Sequence, residues 1–407
     1  MPTRSCARRV VTIALLVASA GAHAADTYKL AFELSLQAGK PRAEAAIELR
    51  QKSALLREAR FRAPAPRFDD FAGDGEIERD GDFVTWTPPR TGGRITYTVD
   101  LENERDSGRF DSLVTQKWAL FRADDAFPPA RVRHRSNAHS KSTLKFSLPG
   151  DWTVITPFAE RPTGGYLIDN PDRAFDRPTG WLIAGKLGRR KDMIAGIEVS
   201  IAAPVGAGVE RVSMLALLRW TLPDLARELG ELPPRISIVA AGAPMWRGGL
   251  SAPNSMFLHA DRPLLSENAT STLLHEVVHV LMPVRTKRDQ DWIDEGIAEY
   301  VTLRLLRDSN TISVERFDKA LAGFAARGKA VDTLVTPAAS GAVRARAVTI
   351  IAALDAEIEK LTDRSKNLFD LVRAAQAADE PLDADALRNL ALELTGAAEI
   401  NSLETIR

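Results

Sequence analysis

Between residues 28 and 204 apolar and polar positions partly alternate, in short runs broken by Gly, Pro and Asp. Tyr28-Lys29-Leu30-Ala31-Phe32-Glu33-Leu34, Phe83-Val84-Thr85-Trp86 and Arg94-Ile95-Thr96-Tyr97-Thr98-Val99 are such runs. A period of two puts alternate side chains on one face of a strand, so this half of the chain predicts half-buried β-structure. Gly73-Asp74-Gly75 and Asp80-Gly81-Asp82 read as solvated turn tips, since neither fits a calcium-binding loop.

Around residue 205 the period changes. Helical spacing runs over 213–229, and Arg235-Ile236-Ser237-Ile238-Val239-Ala240 reads as a buried strand. Helical patterns return near 268–282 and 291–307. Beyond residue 311 the chain is Ala/Leu-rich and helical in period, interrupted near 337–341, 363–364 and Pro381. The pattern predicts an α+β protein in three parts: a β-rich part over 25–204, a mixed α/β centre over 205–310 and a helical part over 311–407. A length of 407 residues suits two or three domains, at about 150 residues each.

The first 24 residues read as a secretory signal peptide: Arg4, Arg8 and Arg9, then an apolar stretch over 10–20, then Ala22-His23-Ala24. The mature chain is therefore expected to be periplasmic or secreted. No later stretch reaches the roughly 18 uncharged apolar residues of a membrane helix, so no membrane partner is expected. Removing this segment takes away three arginines and no acids, which moves the formal charge from zero to −3. That balance gives no basis for a nucleic-acid partner. Cys6 is the only cysteine and leaves with the segment, which suits an oxidising compartment.

Against this background one motif carries chemistry. His275-Glu276-Val277-Val278-His279 is an H-E-x-x-H pattern. Residues four apart share a helix face, so both imidazoles can reach one cation, while Glu276 is offset and can reach a metal-bound water. Leu273, Leu274, Val277, Val278, Val280 and Leu281 give that helix its buried surface, and Pro283 stops it. Catalytic zinc takes three protein ligands. The next predicted helix contains Asp294-Glu295-Gly296-Ile297-Ala298-Glu299-Tyr300, and a carboxylate there completes a His-His-Glu set for one Zn2+. Glu299, one turn after Glu295, either orients a ligand histidine or is a solvent-facing helix acid. His259 reads as a strand histidine with a cleft position as its alternative, and Arg285, Lys287 and Arg288 as a solvated connection.

At these residues the chain resembles the gluzincin metallopeptidases, in which the acid before glycine in a W-x-x-E-G-x-x-x-Y-like segment is the third zinc ligand. That resemblance selects Glu295 over Glu299. The likeness is nearest to the glycyl aminopeptidase family, through Gly248-Gly249-Leu250-Ser251-Ala252-Pro253-Asn254-Ser255 and the helical stretch 347–372. It implies a β-sandwich-like N-terminal domain, a thermolysin-like α/β zinc domain and a helical domain closing the cleft, with Gly249 and Ser251 beside the substrate. In this family a glutamate stands at the place of Ser251 to bind a free amino group, and a tyrosine from the helical domain stabilises the oxyanion. Here the corresponding stretch reads Val343-Arg344-Ala345-Arg346, and Tyr300 is the last tyrosine. Arg344 or Arg346 is then the candidate oxyanion donor, with a surface-helix role as the alternative. The PDZ domain that often follows is expected to be missing.

The resulting expectation is an exported zinc metallopeptidase acting on a peptide or protein, with Glu276 as the base. The rival expectation is a zinc-binding homologue of weak or no activity that serves as a binding or scaffold protein.

Overall fold

The computed structural model describes residues 26–169, 173–230 and 232–404. The leader read over residues 1–24 lies outside the described residues. In Thr27–Gln37 the even-numbered side chains from Tyr28 to Leu36 are buried, as the alternation predicts. This strand pairs antiparallel with Lys40–Arg50 and parallel with His139–Ser147, inside a seven-stranded sheet. A four-stranded sheet containing Leu56–Arg62 and a five-stranded sheet containing Trp118–Arg122 share its apolar core. Phe32 meets Phe127 edge-on there, just past the short helix α1 (Ala123–Ala126). The N-terminal part is thus sheet packed on sheet.

The central sheet has five strands in the order Leu187–Ile194, Ile197–Pro204, Arg235–Ala241, Ser255–His259, Gly249–Ala252. Its inner pairings are parallel and its outer ones antiparallel. Residues 187–204 therefore belong to this sheet, ahead of the texture change at 205. Their hairpin alternates like the strands before it, but Ile197–Pro204 is buried almost throughout, as a strand covered on both faces must be.

One face of the sheet presents Ile201, Ile236, Ile238 and Leu258 to α2 (Arg211–Leu229) and α3 (Thr272–Leu281). The other presents Ala202, Val239 and Phe257 to the N-terminal sheet through Trp181. The C-terminal part is helical: α4 (Trp292–Asp308), α5 (Val314–Gly328), α6 (Gly341–Leu361), α7 (Leu368–Ala377) and α8 (Ala384–Thr395). The breaks fall where the sequence interruptions predict. These helices share one core with the central sheet, from Ile194 to Leu403.

Two devices hold α6 against α4. A Cβ on Gly296 would lie 2.9 Å from that of Ala347, so glycine permits the close crossing. Asp355, buried on α6, accepts hydrogen bonds from Tyr300 at 2.7 Å and Arg304 at 2.6 Å. Among the described residues no helix is long and apolar enough to cross a membrane.

Candidate metal centre

Helix α3 starts at Ser271, whose hydroxyl accepts the Leu274 N–H at 3.3 Å and satisfies one of the orphan donors of the first turn. Burial of Leu273, Leu274, Val277 and Val278 against the central sheet sets the helix rotation. That rotation turns His275 and His279 towards α4, whose own orientation follows from buried Trp292, Ile293 and Ile297. The two imidazole Nε2 atoms lie 3.1 Å apart. One Glu295 oxygen is 3.4 Å from His275 Nε2, and the other is 3.5 Å from His279 Nε2.

Each outer ring nitrogen faces a carboxylate: His275 Nδ1 lies 3.1 Å from Glu299, and His279 Nδ1 lies 3.0 Å from Asp294. With Nδ1 of each ring turned to a carboxylate, the two Nε2 atoms face each other and Glu295. Only a cation or added protons relieve that arrangement. Two donors about 2.0–2.1 Å from one Zn2+ at a tetrahedral angle are about 3.3 Å apart, which the 3.1 Å between the Nε2 atoms fits, with one Glu295 oxygen 3.4 Å from the first ring and the other 3.5 Å from the second. His275, His279 and Glu295 are the set of metal-capable side chains that converges among the described residues.

The electrostatics agree. Burial works to lower both imidazoles, but the carboxylates outweigh it. Glu295 and Glu299 hold His275 up at about 9, and Asp294 and Glu295 hold His279 up at about 10. Burial works to raise Glu295, yet its contacts with both histidines and the charge of Arg344 hold it well below the ordinary carboxylate range. The group demands positive charge at its centre, and a metal ion would compete with protons for it.

Glu276 is buried on α3, and burial pushes its carboxyl up. It lies against the edge strand: a Cβ on Gly249 would be 2.6 Å from Glu276 Cγ and 2.8 Å from Thr272 Cγ2. Ser251, two positions on, shares that face of the strand. Gly249→Ala should displace either the strand or the Glu276 side chain. We expect kcat/KM for any hydrolysis to fall about 10²-fold with metal content retained; kinetics alongside metal analysis of the variant checks this.

Arg344 comes from α6, with Nε 2.8 Å from Glu295 Oε2 and Nη1 3.9 Å from Glu299. It touches the Glu295 carboxylate directly, which the surface-helix alternative did not anticipate. Arg346 instead packs its backbone on Gly328 of α5. Tyr300 is spent on Asp355, away from the ligand group. His259 is fully buried with Nδ1 accepting the Asp261 N–H at 3.1 Å, and it is not in the converging metal-capable group. Asp261 is exposed and 3.9 Å from Arg247. Sequence reasoning missed Asp294; the signal available was an acid immediately before Glu295 on the same helix.

No protein-family profile matches the chain, and no curated protein matches it. Among solved structures it is similar to an aminopeptidase N family protein from Idiomarina loihiensis, with a TM-score of 0.66 and 15% identity over 85% of this chain and 69% of that one. It is also similar to Legionella pneumophila aminopeptidase A, with a TM-score of 0.55 and 14% identity over 91% of this chain and 48% of that one. The chain thus spans about half the length of the Legionella protein. At these identities the likeness is one of fold: a sheet-rich N-terminal part followed by a mixed centre and a helical C-terminal region.

Proposed function

We propose that the chain is an exported zinc metallopeptidase in which His275, His279 and Glu295 hold one Zn2+ and Glu276 is the general base. The convergence of two Nε2 atoms 3.1 Å apart on Glu295, with Glu276 beside them on the same helix, carries this reading. Three protein donors is the number used by catalytic rather than structural zinc. When bound, the ion supplies a Lewis acid and a water acidified towards a pKa of about 7. Glu276 accepts a proton from the attacking water and delivers it to the amine nitrogen as the C–N bond breaks. Its raised pKa moves it towards the strength such a base needs.

Gly249–Ala252 is the terminal strand of the central sheet, so its outer backbone groups are available to an extended peptide added as a further strand. Arg344 is assigned the oxyanion role that the glycyl aminopeptidase likeness gives to a tyrosine, since it brings a guanidinium to the ligand group from α6. Export is proposed from the basic, apolar and small-residue pattern of residues 1–24. One experiment tests the whole reading. Protein recovered from a periplasmic fraction should begin at Ala25, carry about one zinc per chain and cleave a mixed peptide library. Zinc without any cleavage would favour the second reading, a metal-binding scaffold, which draws on Arg344 occupying an oxygen of the ligand Glu295.

Specificity departs from that of the solved aminopeptidases. An enzyme that reads a free N-terminus needs a carboxylate to offset desolvation of the ammonium ion, and Ser251 is neutral. Asp261 does not supply one, because it is exposed and faces Arg247. We expect one peptide with free and with acetylated N-terminus to be hydrolysed at rates within about tenfold. A preference of about a hundredfold for the free amine, about 2.7 kcal/mol in transition-state binding, would refute this and return the chain to the aminopeptidases.

A further inference from the structure

A second polar site lies on the other face of the central sheet. Lys191, Ser200, Ser237 and Ser255 are register partners in one row across four neighbouring strands. Register partners share a face, and this one otherwise presents Ala202, Val239 and Phe257 to the N-terminal sheet. Two of the serines have visible work. Ser255 accepts the Trp181 N–H at 2.8 Å and donates to the Pro253 carbonyl at 3.1 Å, and Ser200 accepts from Arg189 Nε at 3.0 Å. Ser237 has none: it is 2% exposed and its Oγ has no hydrogen-bond partner. Burying a hydroxyl unpaired is unfavourable, and an apolar residue would fill that place in a strand whose residues from Ile236 to Ala241 are otherwise apolar.

Ser237 is among the residues lining a cavity of about 220 Å³ between the sheet and segment 154–160. Its wall carries three cations, Arg189, Lys191 and Arg235, against two carboxylates, Glu160 and Glu198. Glu198 is shared, forming an ion pair with Lys191 and lying 3.9 Å from Arg235. Glu160 is mostly exposed and 3.6 Å from Arg189. One positive charge is left over, beside hydroxyl groups that can donate. We propose that this cavity binds a small oxyanion, with the Ser237 hydroxyl, the Lys191 ammonium and the guanidinium groups as its donors. The chemistry is shared by free phosphate and by a carboxylate such as a peptide terminus.

Calorimetric titration of the zinc-loaded full chain at low ionic strength tests this, using sodium phosphate in one arm, sodium acetate in the other and sodium chloride as control. We expect one saturable site for at least one anion, with the tighter arm identifying the source. Lys191→Gln should weaken it at least fivefold. Ser237→Ala should weaken it comparably, while the melting temperature without anion does not fall, because the substitution removes an unpaired hydroxyl. No saturable binding of either anion overturns the proposal. So does an affinity unchanged in both variants, which places the anion elsewhere, the metal centre included. A Ser237→Ala protein that melts lower yet binds as before also overturns it, since the hydroxyl would then be structural.

Discussion

Glu276→Gln is expected to lower kcat/KM for peptide hydrolysis by about 10²–10⁴-fold while leaving zinc content unchanged. The substitution keeps the length and shape of a side chain that packs tightly beneath Gly249, where a Cβ would come within 2.6 Å of Glu276 Cγ. Strand and helix therefore have no reason to move. What changes is proton affinity, because an amide does not accept the water proton. The ligand set is untouched, since His275, His279 and Glu295 converge without Glu276. Kinetics beside metal analysis separates the two effects. Turnover equal to that of the parent would remove Glu276 from the chemistry, and loss of zinc would move it into the ligand set.

How much of this was legible in the sequence differs from one element to the next. Helices α3 and α4 were, because each shows a helical apolar period, with Pro283 as a stop after the first. The strand Arg235–Ala241 was, because a run of apolar residues that short suits a strand covered on both faces. Pairing was not: nothing local says that His139–Ser147 lies parallel to Thr27–Gln37, or that the hairpin over 187–204 joins the central sheet. Partnership depends on contacts distant in sequence, and alternation is the same whichever neighbour a strand takes. The site divides in the same way. Spacing delivers His275 and His279, and the second helix delivers Glu295 and Glu299. Arg344 reaches Glu295 only because Gly296 and Asp355 bring α6 onto α4, a packing fact that spacing does not encode.

The ligand assignment has the sharpest consequence for metal content. His275→Ala, His279→Ala and Glu295→Ala should each weaken zinc binding by more than about 10²-fold. Glu299→Ala, which removes only the partner of His275 Nδ1, should weaken it by about 10–100-fold. The order follows from geometry, since a ligand substitution removes a donor from the centre and Glu299 acts through an imidazole. Glu295→Ala has an added penalty. Arg344 Nε now lies 2.8 Å from a Glu295 oxygen, and without that carboxylate the guanidinium is left beside a dication. Glu295→Ala combined with Arg344→Ala should therefore recover part of the affinity lost in the single variant, a non-additivity expected of residues in direct contact. Competition with a chelator of known affinity measures these five variants together with Arg344→Ala alone and the parent, which closes the cycle. Full retention of zinc in Glu295→Ala with loss in Glu299→Ala would make Glu299 the third ligand. Strict additivity with Arg344→Ala would instead mean that the guanidinium does not face the metal.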